Sequence, residues 1–142
     1  MKKITQINRF RLATLLILTS LFLGCKKDTV QTTYKIHGLW VGTVANPTSS
    51  AQPYSLSIKS DGKITFEGYA ASTYHFGVGT WTLNGDTFTA NVTTLYGISS
   101  NIGTQQQLNA TFNSSTGILS NGTYLNISPA NSTGTFSVTK VN

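Results

Sequence analysis

The sequence predicts an all-β domain over residues 34–142: a single antiparallel barrel of eight strands in up-and-down order. Three observations favour this fold class. Apolar and polar residues alternate with period two, turn signals recur between the alternating segments, and no window carries a helix-period apolar stripe. Strands joined by hairpins lie side by side, and eight of them leave two exposed edges unless the sheet closes.

Eight alternating segments account for the predicted strands. In chain order they are residues 35–44, 54–59, 63–69, 74–83, 86–95, 106–113, 117–127 and 134–141. The three prolines, at positions 47, 53 and 129, are predicted to lie in the connecting loops.

Three connections decide the predicted topology. Residues 60–62 (Ser-Asp-Gly) and residues 114–117 predict tight hairpins, and Asn84-Gly85 predicts another whose two central residues have positive φ. A β-sandwich is the alternative at this length. It would need long crossovers and, in immunoglobulin-like domains, a Cys…Trp…Cys core that a chain with one cysteine lacks.

A Gly-x-aromatic element occurs four times, at residues 38–40, 79–81, 122–124 and 134–136. Residues two apart lie on one face of a strand, so each glycine leaves a gap beside a ring. Glycine also permits the sharp coiling of small barrels, and the repeat is therefore interpreted as barrel construction.

The charge distribution argues against nucleic-acid binding. The formal charge is +6, but four of the ten basic residues precede residue 12. From residue 26 onward six lysines face four acidic residues, a net charge of +2, and no arginine follows Arg11. Arginine carries most bidentate recognition of phosphates and base edges, so we expect no nucleic-acid partner.

Catalytic candidates are few, and we expect no enzymatic activity, metal site or cofactor. His37 and His75 are the two imidazoles, and no ligand spacing connects them with Glu67. His75 is interpreted as a strand residue at a barrel rim. Asp86 follows a turn signal, and its spacing from Glu67 does not indicate a carboxylate pair.

Residues 1–24 are predicted to be a secretory signal peptide. A basic stretch precedes the apolar residues 12–23, and a small residue, Gly24, follows them. Twelve helical residues rise about 18 Å, less than the roughly 30 Å of a bilayer core, so this segment is too short to span a membrane.

Residues 21–25 (LFLGC) resemble the lipobox of bacterial lipoproteins, with Phe22 where leucine is usual. The resemblance implies cleavage before Cys25 and attachment of lipid to its thiol and new amine. Acylated chains of this kind anchor a protein stably to a membrane.

Residues 25–33 are then the lipidated cysteine and a polar tether. Lys26 replaces the aspartate that retains enterobacterial lipoproteins at the inner membrane, which favours the cell outer membrane. The membrane face stays open. Residues 28–30 (Asp-Thr-Val) also resemble a bacterial O-glycosylation site, and whether they are glycosylated stays open too.

The domain resembles the calycin group of lipocalins and avidin-like barrels, most closely the short lipocalin-like domains of bacterial lipoproteins. The resemblance rests on Gly38-Leu39-Trp40, the eight-strand meander and a final strand ending at residues 136–141. It implies that Trp40 closes the barrel floor and packs against a basic side chain of the last strand. That family has an arginine in this role, the last strand here has none, and Lys140 is only a poor substitute.

An eight-strand barrel is just wide enough to hold one small ligand or to be filled by its own side chains. Five tyrosines near strand ends are the ligand-binding candidates, because an apolar ring with a polar tip suits a pocket mouth, and residues 96–105 are the candidate lid. The tyrosines are Tyr54, Tyr69, Tyr74, Tyr96 and Tyr124. The predicted core is Leu56, Ile58, Ile64, Phe66, Phe76, Val78, Phe88, Val92, Leu108, Phe112 and Val138.

Two functions follow from this reading. The first is a non-enzymatic binder of a small apolar or amphipathic ligand, held at the outer membrane by its lipid anchor. The second is an interaction module with a filled barrel that docks on another envelope protein or on glycan. A carrier needs an internal cavity of a few hundred cubic ångströms, whereas a docking module needs an exposed patch.

Overall fold

The computed structural model describes residues 33–141, and these residues form the predicted all-β domain. The predicted signal peptide, Cys25 and residues 26–32 of the tether lie outside the described residues. Eight strands follow one another: β1 (Gly38–Ala45), β2 (Gln52–Ile58), β3 (Lys63–Ala70), β4 (Thr73–Asn84), β5 (Thr87–Tyr96), β6 (Gln105–Asn113), β7 (Ile118–Ser128) and β8 (Ala130–Lys140). A single 3-10 turn, Ser99–Asn101, lies between β5 and β6.

The strands form a closed antiparallel barrel in which each strand pairs with its neighbours in the sequence. β8 closes the sheet by pairing with β1, with Gly42 opposite Val138. The predicted up-and-down barrel is confirmed, and the β-sandwich alternative is excluded. This architecture is consistent with a lipocalin-like fold.

Two of the predicted hairpins form as expected. In the β2–β3 turn the Asp61 carboxylate accepts a hydrogen bond from the N–H of Lys63 at 3.0 Å, and Gly62 has a φ of +81°. In the β6–β7 turn the side-chain oxygen of Asn113 accepts from the N–H groups of Ser115 and Thr116. These side-chain bonds hold the chain in the turn and set the register of the strands on either side.

The β4–β5 hairpin differs from the prediction by one residue. Asn84 pairs with Thr87, so the two loop residues are Gly85 and Asp86. Gly85 has a φ of +58°, whereas Asn84 and Asp86 are not among the residues with positive φ. Positive φ at the first loop position alone is the pattern of a type II′ turn, which also matches the twist of the strands.

One predicted loop residue, Pro53, lies inside a strand. It is the second residue of β2 and pairs with Thr43 of β1. The ladder between β2 and β3 begins only at Tyr54, so no donor is needed from residue 53 on that side. A proline at the start of a strand is compatible with pairing for this reason.

The inner face of the barrel is the hydrophobic core, and alternate residues of each strand reach it. The fully buried side chains of largest volume are Trp40, Phe88, Leu56, Ile58, Ile64, Leu108, Leu119 and Val138. Most of these residues belong to the half of the barrel where β1 begins and β8 ends. We call this half the closed end and the opposite opening the mouth.

The predicted inward positions of β4 are wrong by one residue. Phe76 is half-buried and Val78 is 37% exposed on the outer face, whereas His75 and Gly77 point inward. The Phe66 ring occupies the space where a Cβ on Gly77 would lie. The interior therefore requires glycine at position 77, and the bulky neighbours of β4 face outward.

In each Gly-x-aromatic element the ring lies on the inner face of the barrel. In β4 the backbone carbonyl of Asn91 approaches Gly79 so closely that a Cβ would not fit, and Trp81 is half-buried on the same face. The Trp81 ring stacks on Phe88 with centroids 6.4 Å apart. The glycine of this element therefore allows β4 and β5 to approach closely, and its aromatic ring packs on a ring of β5.

Residues 34–37, which we call the entry segment, cross the closed end before β1 begins. The N–H of Tyr34 donates to the carbonyl of Ser114 at 2.7 Å, and Ile36 is buried. The indole N–H of Trp40 donates to the carbonyl of Ile36 at 2.8 Å. The entry segment therefore plugs this end of the barrel.

Trp40 and Lys140 meet at the closed end of the barrel. Trp40 is fully buried at the floor and meets the Phe112 ring edge-on, with centroids 5.8 Å apart. The ammonium of Lys140 lies over the indole and donates to the carbonyls of Lys35 and His37. Desolvation, and secondarily the charge of Lys35, lowers the pKa of Lys140.

Within residues 33–141, no helix has the length and apolar character needed to cross a bilayer.

Candidate functional site

A cavity of about 260 Å³ opens at the mouth of the barrel. The lining of the cavity includes the rings of Tyr54 and Phe66, whose centroids are 6.1 Å apart. The ring of Phe136 packs against Tyr54 with a centroid distance of 5.8 Å. The closed end is therefore filled by side chains, while the mouth end holds a space that is slightly smaller than the usual range of ligand pockets.

The wall of the cavity has two chemically different sides. The side formed by β1, β2 and β3 is mostly apolar or aromatic and consists of Val44, Tyr54, Phe66, Gly68, Tyr69 and Ala70. The side formed by β4 to β7 and the β5–β6 loop carries amide, hydroxyl and imidazole groups, from His75, Thr94, Asn101, Thr104, Gln106 and Asn126. Asn46 after β1, Tyr124 on β7 and Ser132 on β8 complete the lining. Most apolar and aromatic groups therefore lie on one side of the pocket, and most amide and hydroxyl groups lie on the other.

His75 is the most constrained group of the polar side. It is only 7% exposed, and its Nε2 lies 3.1 Å from the amide nitrogen of Asn101. An amide nitrogen only donates, so Nε2 is the acceptor and the proton of the neutral ring is on Nδ1. Nδ1 is buried and has no hydrogen-bond partner among residues 33–141.

Gly97 also lies against the imidazole ring of His75. Its φ is +151°, and a Cβ at this position would overlap Cδ2 of the imidazole. Asn101 follows in the 3-10 turn, where its N–H donates to the carbonyl of Ile98 at 2.9 Å. The loop therefore fixes the imidazole by close contact and by a hydrogen bond.

The predicted lid, residues 96–105, contributes two residues to the pocket wall. It is tied to β5 by two backbone hydrogen bonds, from Thr94 to the carbonyl of Thr104 at 2.9 Å and from Gly103 to the carbonyl of Thr94 at 2.8 Å. Asn101 and Thr104 line the cavity. The loop is consequently part of the pocket wall.

A side-chain hydrogen bond joins β6 to β7 on the polar side. The amide of Gln106 donates to the side-chain oxygen of Asn126 at 2.7 Å, and both residues line the cavity. Thr94 and Thr104 are 4% and 5% exposed. Since these groups are held in place, the polar side presents donors and acceptors at defined positions.

Tyr54 is the buried phenol of the apolar side. Burial, and secondarily the neighbouring Tyr124, raises the pKa of Tyr54 well above its ordinary value near 10. The phenol therefore stays protonated over the whole physiological range and keeps its O–H as a donor.

Among the residues that the structure describes, no lysine, arginine, aspartate or glutamate lines the cavity. The described lysines are instead in the entry segment, at the β2–β3 turn and at the end of β8, all at the closed end. The electrostatics of the pocket thus come from dipoles rather than from net charges.

The five candidate tyrosines divide into two groups. Tyr54, Tyr69 and Tyr124 line the cavity. Tyr74 and Tyr96 are 66% and 63% exposed and are not among its lining residues. Tyr74 still contacts the pocket rim, because its ring meets that of Tyr69 with centroids 5.0 Å apart.

The polar side was not predicted from the sequence. His75 is a strand residue near the mouth, as expected, but its side chain is buried in the pocket wall. Gln106 and Asn126 come together only through the register of β6 and β7, which shifts between Gln105 and Gln106. A sequence rich in Asn, Gln and Thr offers no signal that selects these particular residues. Asn101 is the exception, because it belongs to the segment that was predicted to be the lid.

The acidic residues do not assemble a catalytic centre in the described region. Glu67 lies exposed on β3, and Asp86 lies in the β4–β5 turn at the closed end. Within residues 33–141, no three side chains of His, Cys, Asp or Glu come together as metal ligands would. What the pocket offers chemically is shape, aromatic surface and neutral hydrogen-bonding groups.

Comparisons of the chain with protein-family models, with curated proteins and with solved structures find no match.

Proposed function

We propose that this protein is a lipoprotein of the cell outer membrane whose barrel binds a small amphipathic ligand without catalysing a reaction. The observation that carries the proposal is the cavity at the mouth, with its apolar side on β1–β3 and its polar side on β4–β7. An amphipathic molecule matches such a wall, because each of its faces meets a surface of the same polarity.

The chemistry of the wall supports binding rather than catalysis. Hydrolytic and transfer reactions need a nucleophile with an adjacent base, or a metal, to supply charge in the transition state. The candidate base, His75, is engaged through Nε2 with Asn101 and has no carboxylate beside it among the cavity-lining residues described. The wall is suited to recognising neutral groups.

The anchor is supported by the sequence around Cys25. The short apolar segment, Gly24 and the single cysteine follow the order of a lipoprotein signal, and Lys26 favours sorting to the outer membrane. The experiment is a mass spectrum of the N-terminal peptide of protein made in a bacterium. A diacylglyceryl group on Cys25 with residues 1–24 removed supports the anchor, and an unmodified thiol contradicts it.

Binding is tested by native mass spectrometry of the protein purified from bacterial membranes. We expect an additional mass that is lost on denaturation and that persists when a second detergent replaces the first. Gly68→Trp places a ring in the cavity, since a Cβ there already lies 3.1 Å from Tyr54, and should abolish the additional mass. Thr65→Trp, on the outer face of the same strand, is the control. A ligand retained by both variants would contradict binding in the pocket.

A second candidate function is docking on another envelope protein or on glycan. The exposed rings of Tyr74 and Tyr96 favour it, because they lie at the mouth ends of the adjacent strands β4 and β5. Large apolar groups that are exposed close to each other are typical of contact surfaces. Under this alternative, the native mass would be that of the protein alone. Site-specific cross-linking through Tyr74 would then capture one defined partner, and Tyr96→Ser would weaken the capture.

A further inference from the structure

The volume of the cavity limits the size of the ligand. An apolar cavity of about 150 Å³ in a protein core accommodates benzene. At the same volume per atom, a cavity of about 260 Å³ accommodates roughly ten non-hydrogen atoms. A ligand that lies wholly within the cavity is therefore about the size of one substituted ring.

The absence of charged groups from the described lining limits the charge of the ligand. A buried charge is costly unless an opposite charge or several hydrogen bonds compensate it. The described cavity wall carries neither a lysine or arginine for an anion nor an aspartate or glutamate for a cation. A neutral ligand avoids this cost.

His75 limits the hydrogen-bonding character of the ligand. Because Nε2 accepts from Asn101, Nδ1 carries the proton and is a donor, and this donor is buried without a partner. Buried donors are nearly always satisfied in folded proteins, and an unsatisfied one is destabilising. Because His75 lines the cavity, an acceptor on a bound ligand can satisfy this donor.

We propose that the pocket takes an uncharged, single-ring compound of roughly ten non-hydrogen atoms. A carbonyl or hydroxyl oxygen of the compound accepts a hydrogen bond from Nδ1 of His75. Its ring lies against the apolar side formed with Tyr54 and Phe66, where aromatic rings pack edge-on or offset. This inference rests on the proposed binding function and specifies its ligand class, and it makes His75 the residue that determines specificity.

The test compares three probes of nearly equal size and different chemistry: benzamide, benzoate and isopropylbenzene. Each is titrated by saturation-transfer NMR against the full chain in lipid nanodiscs, with empty nanodiscs to subtract partitioning into lipid. We expect benzamide to bind at least about tenfold more tightly than the other two, because only benzamide is both neutral and able to accept a hydrogen bond.

The role of His75 is tested by His75→Phe, with His37→Phe as the matched control. His37 is the other histidine of the chain and its side chain is exposed outside the barrel. We expect the first variant to lose the preference for benzamide and the second to keep it. In the unmodified protein, ¹⁵N-histidine spectra should show that benzamide shifts Nδ1 of His75 and leaves His37 unchanged, a measurement independent of whether His75→Phe folds.

Equal binding of benzoate or isopropylbenzene would overturn the ligand class. So would a benzamide preference that survives in folded His75→Phe, or a His75 spectrum that benzamide does not change. If none of the three probes binds while native mass spectrometry finds a cargo displaced by Gly68→Trp, the ligand class is wrong and the proposed function stands. If neither experiment detects a ligand, the ligand class and the proposed binding function are both wrong.

Discussion

The ammonium of Lys140 lies 6.0 Å from the centroid of the Trp40 ring. The same group donates to the carbonyls of Lys35 and His37, so one side chain from the end of β8 holds the entry segment against the barrel floor. The backbone N–H of Lys140 donates to the carbonyl of Gly117, in the β6–β7 turn, at 2.9 Å. The first and last parts of the domain therefore meet at one residue.

Replacing Lys140 by Met should destabilise the barrel by about 1–3 kcal/mol, because the cation–π contact and two hydrogen bonds are lost while the aliphatic stem is kept. Urea unfolding followed by tryptophan fluorescence measures the change. Lys63→Met, at an exposed position of β3, should stay within about 0.5 kcal/mol of the native value. Equal effects of the two substitutions would show that Lys140 does not hold the entry segment.

The β3–β4 turn is strained, and relieving it should stabilise the protein. Ala71 and Ser72 have φ of +48° and +61°, a conformation that costs residues other than glycine about 1 kcal/mol or more. Ser72→Gly should therefore raise the unfolding free energy by up to about 1 kcal/mol. Ser60→Gly is the matched control in the β2–β3 turn, where φ is not positive, and it should give no gain. Thermal denaturation of both variants decides the question.

Two glycines of the β5–β6 loop differ in what a side chain would meet. Gly97 has a φ of +151° and an imidazole where a Cβ would lie, whereas Gly103 has a φ of +84° and open space around it. Gly97→Ala should therefore lower stability by about 1–3 kcal/mol more than Gly103→Ala, because its backbone is less accessible to alanine and the ring must also move. Chemical denaturation measures the difference, and ¹⁵N-histidine spectra should show a displaced His75 only in the first variant. Similar stabilities and spectra would show that Gly97 does not position the ring.

The raised pKa of Tyr54 predicts a specific loss of stability in alkali. The folded protein retains a phenolic proton that the unfolded chain releases above its ordinary pKa near 10. The contribution of the protonated Tyr54 phenol to the free energy of unfolding is complete below about pH 10, and it decreases as the pH rises beyond that value. Tyr54→Phe should flatten this part of the stability–pH curve, whereas Tyr74→Phe, at an exposed ring, should leave it unchanged. Identical curves for the two variants would contradict a buried Tyr54 phenol.

The barrel could be predicted because its turns carry local chemistry. Asp61-Gly62 and the segment after Asn113 form hairpins through side-chain bonds and positive φ at glycine, which residue identity alone indicates. The Ala71-Ser72 turn adopts positive φ at two residues that rarely do so. Surrounding strand pairing imposes that conformation, so local sequence reasoning does not anticipate it.

The pocket could be predicted only in part, because it depends on which face each residue takes. Phe76 and Val78 look like core residues beside His75 and Gly77, yet the ring of Phe66 requires a glycine on the inner face. That requirement reverses the alternation expected for β4 and brings an imidazole into the wall. Which face of β4 a residue takes therefore depends on the Phe66 side chain of a neighbouring strand. The period-two pattern of β4 itself carries no information about that contact.

The entry segment at the closed end has a consequence for the path that a ligand takes. The entry segment plugs one end of the barrel, and the buried core fills the space behind it. The cavity opens at the opposite ends of the same strands. As far as residues 33–141 show, a ligand therefore enters and leaves through the mouth alone, past the β5–β6 loop.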